Sequence, residues 1–295
     1  MLSEEAKHHP ALKWRVGSNG VASGKNGSGI NGDSHGSARA VDESLAVEEP
    51  LEIRLGGRRF TLTMRTPGHD EELAAGFLLA EGFIDSREEL GEVRRLRMRD
   101  GSADPNAIDV ILAVPAEDLR GRLKRNFTIS SSCGVCGKTS IEALQRRVAP
   151  LDDQLRIAAG ALLEMPRQMR TAQEVFEATG GLHAAALFEV AKNGDAAELQ
   201  VLREDVGRHN AVDKVIGRAL MDERVPLRNS IMMVSGRLSF EIVQKAASSG
   251  IQLIASVSAP SSLAVELADE FGMTLAGFVR ESTFNIYTHR ERVIV

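Results

Sequence analysis

Between His183 and Val279 short apolar runs alternate with segments of helical period, and this alternation restricts the fold more than any other feature of the chain. His183 to Val190 reads as a strand, Asn193-Gly194 as a turn and Leu199 to Leu202 as the hairpin partner. Helix Asn210 to Met221, strand Ile231 to Val234, helix Phe240 to Ser249, strand Ile251 to Val257, helix Ser261 to Phe271 and strand Thr274 to Val279 follow. Ile231-Met232-Met233-Val234 and Leu253-Ile254-Ala255 contain no polar residue, as central parallel strands covered on both faces require. The pattern predicts a three-layer α/β unit. Ligands of such sheets bind in loops past the carboxyl ends of the strands. Here those loops are Ser235-Gly236-Arg237, Ser258-Ala259-Pro260-Ser261 and Arg280 to Asn285.

A smaller α+β part precedes this unit. Leu51, Ile53 and Leu55 alternate with Glu52 and Arg54, Gly56-Gly57 makes a two-residue primed turn, and Phe60, Leu62 and Met64 alternate again, which is a β-hairpin. Thr66-Pro67-Gly68-His69 and the acidic Asp70-Glu71-Glu72 open an amphipathic helix over Leu73, Phe77 and Leu78, with His69 as its start. Val93 to Met98 and Ile108 to Val114 read as strands and Pro115 to Arg125 as a short helix. The basic run Arg120, Arg122, Lys124 and Arg125 fits a solvated helix face or an anion-docking face. Ile141, Leu144 and Val148 have helical spacing, and Leu155 to Met165 and Glu174 to Thr179 read as two helices separated by Pro166. Residues 17–40 are dominated by Gly, Ser and Asn, too polar to offset their ordering entropy, so residues 1–45 are expected to form a disordered tail. The expected organisation is that tail, an α+β part over 46–127, a Cys-x-x-Cys loop over 128–140, and a helical connector with the α/β domain over 141–295.

A formal net charge of −5 over 295 residues argues against a generally basic nucleic-acid binder, so any anion site must be local. No apolar run approaches the ~18 residues needed to span a bilayer, and the first residues carry charges where a secretory signal needs an apolar stretch. A cytoplasmic protein without a membrane anchor is expected.

Both cysteines lie in Ser130-Ser131-Ser132-Cys133-Gly134-Val135-Cys136-Gly137-Lys138-Thr139. Such a pair can exchange a disulfide, hold a metal with two further ligands, carry sulfur as a persulfide, or only pack. Gly137-Lys138-Thr139 matches the end of a phosphate-binding loop, but Ser132 replaces its first glycine. Zinc would need ligands from His183, His209 or a carboxylate, with no second Cys-x-x-Cys to supply them, so no metal is expected. Deamination is not favoured, since His183-Ala184-Ala185 has no glutamate and follows the cysteines. The thioredoxin context is missing, yet dithiol chemistry stays open because it depends on thiol pKa and access. Glu204 to Lys214 packs six ionisable groups into the start of a helix. It fits a capped helix with ion pairs, Asp213 among them, and equally a turn at Gly207 presenting Arg208 and His209 to a ligand.

The chain resembles the FdhD family of formate dehydrogenase accessory proteins (FdhD/NarQ). The resemblance is carried by Thr66-Pro67-Gly68 with Glu72-Leu73-Ala74 and Gly76-Phe77-Leu78, and by Ser132-Cys133-Gly134-Val135-Cys136-Gly137. Gly181-Leu182-His183-Ala184-Ala185-Ala186, Arg203 to Lys214, Ser235-Gly236-Arg237 and Gly277-Phe278-Val279-Arg280 continue it to the C-terminus. It implies a sulfurtransferase that takes sulfane sulfur from a cysteine desulfurase of the IscS type. The sulfur goes to the molybdenum bis-(molybdopterin guanine dinucleotide) cofactor of formate dehydrogenase. It makes Cys133 the persulfide carrier, Cys136 an auxiliary thiol and Phe278, Val279, Arg280, Glu281, Ser282 and Thr283 a cofactor-binding segment. That segment departs from the family pattern, reading Glu281-Ser282-Thr283 where relatives carry Gly-Asp/Glu-Arg. The resemblance also implies a fold related to cytidine deaminases without their chemistry. With the resemblance in hand, Arg208, His209, Lys214 and Arg237 join Arg280 as expected cofactor-binding residues, because arginine best matches pyrophosphate. The alternative is a cofactor-binding chaperone, or a dithiol oxidoreductase, that transfers no sulfur. A homodimer is compatible with the sequence.

Overall fold

A computed structural model describes residues 5–15, 37–114, 151 and 155–294. The expected loop 128–140, with Cys133 and Cys136, and the helical spacings at 115–125 and 141–148 lie outside the described residues. β1 (Ala6–Arg15) and β2 (Ser37–Ala46) pair antiparallel. Over residues 6–15 and 37–45 the structure thus shows paired strands where a disordered tail is expected. Composition counts side-chain burial only, whereas here the two segments satisfy each other's backbone groups and Val47 N–H closes on Glu5 O at 2.9 Å.

β3 (Glu49–Leu55), β4 (Arg58–Arg65), β5 (Leu90–Arg97) and β6 (Ala103–Leu112) form a four-stranded sheet in the order β4-β3-β6-β5. The β3–β4 turn is the expected one, Gly56 and Gly57 having φ of 56° and 80°, the left-handed values that a primed turn demands. Helix α1 (Asp70–Ala80) packs on this sheet through Leu73, Leu78 and Leu79. Its N-cap is His69, as expected.

β7 (Ile157–Ala158), α2 (Ala159–Thr171) and α3 (Glu174–Thr179) lead to β8 (His183–Val190) and β9 (Ala197–Asp205). Pro166 lies inside α2 rather than between helices. It leaves one carbonyl unpaired, but Leu162, Met165 and Met169 bury one continuous face and carry the helix through. The chain then alternates α4 (Arg208–Met221), β10 (Ser230–Val234), α5 (Phe240–Ser248), β11 (Leu253–Ser256), α6 (Ser262–Glu270) and β12 (Thr274–Gly277), ending in β13 (Asn285–Thr288) and β14 (Val293–Ile294). A six-stranded sheet results, in the order β13-β12-β11-β10-β8-β9, with β10, β11 and β12 parallel and the others antiparallel to their neighbours.

Alternate residues of these strands enter two cores. Ala185, Leu187, Met232, Val234, Ile254 and Leu275 pack with α4, α5 and α6, whereas Ala186, Phe188, Ile231, Met233, Leu253 and Ala255 pack with α2. These are the three layers read from the sequence. The first core also takes in Leu51, Ile53, Ile108 and α1, so the N-terminal α+β part shares its interior with the α/β unit.

The join is the crossing of α1 and α4. A Cβ on Gly76 would sit 1.8 Å from Asp213 O, and one on Gly217 1.8 Å from Glu72 O. Only paired glycines allow backbones this close. Gly76→Ala is therefore expected to cost at least about 3 kcal/mol by forcing the helices apart. Gly160→Ala, where an added Cβ meets nothing within 4 Å, is expected to gain about 0.5 kcal/mol from propensity. Chemical denaturation of the two variants measures the contrast.

Candidate functional site

The three turns expected from the sheet's polarity lie side by side and are stitched together. Ser256 Oγ donates to Gly236 O at 2.6 Å, and Leu238 N–H donates to Ala259 O at 3.1 Å. Phe278 N–H donates to Ser258 O at 3.0 Å and Val279 N–H to Ser256 O at 2.9 Å. Because β8 runs antiparallel to β10, its first residue, His183, reaches this same edge opposite Asp205, the last residue of β9. Ser235 Oγ accepts from Ala184 N–H at 2.9 Å and holds the β10 turn to β8.

Asp205 is fully buried and organises the start of α4. Its carboxylate accepts from Gly207 N–H at 2.8 Å, Asn210 Nδ2 at 2.9 Å and Thr66 N–H at 3.2 Å, and pairs with Lys214 Nζ at 2.7 Å. Lys214 also donates to Thr66 O at 2.9 Å and Glu204 O at 3.3 Å, and Asn210 Nδ2 to Met64 O at 2.7 Å. Lys214, expected among the cofactor-binding residues, is therefore enclosed and already partnered. With its ammonium committed to Asp205 and two carbonyls at 1% exposure, it is a buried structural cation.

The neighbouring residues divide differently. Arg208 is half-buried; its Nε is enclosed with no hydrogen-bond partner, and its guanidinium meets no carboxylate among the described residues. His209 Nε2 lies 3.4 Å from Ser239 Oγ, at the start of α5, and 3.9 Å from Glu241. Burial first, then Lys245 and Arg208, push its imidazole down to about 4, so it is neutral at pH 7. Beneath it Lys245 Nζ bonds Asp213 at 3.0 Å and Glu81 at 3.1 Å. The pair expected within the helix at Asp213 is thus made between α4 and α5. Burial raises the Asp213 carboxyl from its ordinary value, against the pull of Lys245.

Arg237 and Arg280 are exposed and meet no carboxylate among the described residues. In the C-terminal segment Phe278 has φ of 52°, a strained left-handed value for an aromatic residue, and Val279 is buried. Arg280 N–H donates to Thr283 O at 2.9 Å, which closes a turn whose Glu281, Ser282 and Thr283 face solvent. Arg208, His209, Arg237 and the segment from Phe278 to Thr283 therefore share one edge, and Lys214 lies below it. Sequence reasoning assigned no role to Asp205 or Ser239. The register of β8 against β9 would have placed Asp205, but Ser239 is brought in only by the approach of α5.

Glu72, from the resemblance, bonds Arg203 at 2.6 and 2.8 Å. Burial alone would raise its carboxyl, but Arg203, with His69 3.5 Å away, holds it at about 2. Among the described residues no group of three or more His, Cys, Asp or Glu could hold a metal ion, and no helix is long and apolar enough to cross a membrane.

The profile of the FdhD/NarQ family matches residues 46–294. A protein of Mycolicibacterium paratuberculosis named sulfur carrier protein FdhD is 53% identical over 88% of this chain and 94% of its own length. One of the same name from Streptomyces coelicolor is 46% identical over 88% and 92%. A crystal structure from Desulfotalea psychrophila, assigned provisionally as a formate dehydrogenase accessory protein, superposes with a TM-score of 0.69 at 27% identity, covering 98% of this chain and 100% of that one.

Two outcomes follow from the hub. Lys214→Met is expected to cost about 3–5 kcal/mol, since it strands a buried carboxylate, whereas Arg237→Ala should stay within about 0.5 kcal/mol of the parent. Denaturant titration separates them. His209 has a folded pKa below its unfolded one, so its contribution is complete above about 6.5 and is lost as pH falls toward 4. Asp213 works in the opposite sense, its cost being relieved as pH falls through 6. His209→Gln is therefore expected to lose less stability than the parent between pH 6.5 and 4.5, read from denaturation midpoints.

Proposed function

The chain belongs to the FdhD/NarQ family, and from that premise we propose that it is a sulfur carrier. It takes sulfane sulfur from a cysteine desulfurase of the IscS type and delivers it to a molybdenum bis-(molybdopterin guanine dinucleotide) cofactor destined for formate dehydrogenase. The observation that carries this reading is the convergence of the resembling segments on one edge of the six-stranded sheet. Thr66 is tied to Asp205, His183 lies opposite Asp205, Arg208 and His209 flank the β10 turn, and Phe278 and Val279 hang from Ser258 and Ser256. Relatives 46–53% identical over most of the chain carry the name sulfur carrier protein.

Cys133 is the carrier in this reading. Its thiolate attacks the terminal sulfur of the desulfurase persulfide; the new S–S bond forms as the old one breaks, and the desulfurase cysteine leaves as a thiolate. The exchange moves one sulfur with no net oxidation. The positive charge of Lys138, five residues on in the sequence, favours the thiolate, and Cys136 is the auxiliary thiol.

The cofactor is the substrate here, and residues of the edge suit its pyrophosphates. Arg208, Arg237 and Arg280 carry charge that no carboxylate among the described residues neutralises, and Arg208 Nε is enclosed without a partner. Phe278 to Thr283 form the adjoining wall. The three-layer unit is read as a relative of the cytidine deaminase fold that has changed its chemistry.

Incubating the protein with desulfurase and cysteine and reading its mass tests the loading step. A gain of one sulfur, removed by reductant and absent from Cys133→Ala, is expected. A protein that binds the cofactor yet never gains sulfur would overturn the carrier reading.

A further inference from the structure

His183 is given no chemical role in the reading above. It opens β8 at the edge of the sheet, half-buried, and its imidazole makes no hydrogen bond among the described residues. Nor does the guanidinium of Arg208, whose Nε is enclosed. Both side chains border one place. A Cβ added to Gly236 would lie 3.4 Å from His183 Nδ1, 3.4 Å from Arg208 Cδ and 3.5 Å from Arg208 Cβ. The free face of Gly236 thus forms the floor between two nitrogen-bearing groups. A buried polar atom without a partner, as Arg208 Nε is, is rare, and with the half-buried imidazole of His183 beside it the site calls for a ligand that satisfies both.

We propose that His183 is a ligand-binding residue, which with Arg208 holds a single phosphoryl group over Gly236. A carboxylate could be satisfied by the arginine fork alone and would leave His183 unpaired; a phosphoryl group has a further oxygen to offer the imidazole. Arg237, one residue along the same turn and without a carboxylate partner among the described residues, suits a second charge, as in a pyrophosphate. This deepens the reading of the edge as a pyrophosphate site and rests on it.

Protonation of His183 is coupled to that ligand. Burial, then Arg208, lower the pKa of His183, with Asp205 opposing. Asp205 is already paired with Lys214, and Arg237 adds a further cation nearby. An arriving anion offsets Arg208 and favours the imidazolium, so His183 takes up a proton on binding and affinity rises as pH falls.

Titration calorimetry on the full chain tests this, with inorganic pyrophosphate and a nucleoside diphosphate as probes, each in two buffers of different ionisation enthalpy. The parent is expected to bind both with uptake of a fraction of a proton. His183→Gln should bind about tenfold more weakly, the loss of one hydrogen bond to a charged group, and take up none. In the unsubstituted protein the His183 ring resonances should shift with pyrophosphate, a readout that does not depend on the variant folding. Unchanged affinity and proton uptake in His183→Gln, or no binding of inorganic pyrophosphate by the parent, would overturn the proposal. So would binding confined to the nucleoside diphosphate, which would make the base the recognised group. Sulfur loading of Cys133 in the parent is a separate readout. Pyrophosphate bound with proton uptake but sulfur never loaded would defeat the carrier and leave the phosphoryl cradle intact.

Discussion

The buried pair of Asp205 and Lys214 is the interaction on which the geometry of the edge depends. A buried ion pair adds little net stability, because desolvation cancels much of the attraction. Its effect here is placement. The Asp205 carboxylate binds amides from Thr66 and Gly207, and Lys214 returns to the carbonyls of Thr66 and Glu204, so the end of β9, the start of α4 and the turn before α1 are fixed to one another. Arg208 and His209 take their position from that knot, next to the turns after β10, β11 and β12. Charged residues that look like ligands in the sequence thus fall in two layers, a buried one that holds and an outer one that lines the edge.

The same logic ties the N-terminal part to the platform. Gly76 and Gly217 let α1 and α4 touch backbone to backbone, which leaves no room to slide. Lys245 then links Asp213 of α4 to Glu81 beyond α1, under the Phe77 ring at 5.4 Å. Arg65 fastens the sheet side, bonding Asp70 at 2.9 and 3.1 Å and Pro105 O at 2.9 Å. Such a rigid support suits the proposed binding of a large cofactor, since pre-ordered groups lose less entropy on binding.

Much of this was readable in the chain. Period two in Ile231-Met232-Met233-Val234 splits these residues between the two cores, and Gly56-Gly57 specified its hairpin turn. The polarity of the parallel strands pointed to the three turns that prove to be adjacent. What sequence could not separate was burial among like charges. Lys214 and Arg208 lie six positions apart on one helix, and only the antiparallel return of β8 and the approach of Thr66 decide which is enclosed. Pro166 and strands β1 and β2 were misjudged for a related reason. Local propensity gave way to tertiary burial in the first case and to backbone pairing in the second.

The central claim is that sulfur carried on Cys133 ends on the client's metal. Loading the protein with isotopically labelled sulfur from labelled cysteine, then supplying it to cofactor-bearing, sulfur-free formate dehydrogenase, tests this directly. Labelled sulfur bound to molybdenum, together with formate oxidation, is the result expected. Enzyme activated while the label stays on the carrier, or activated equally by Cys133→Ala, would contradict it.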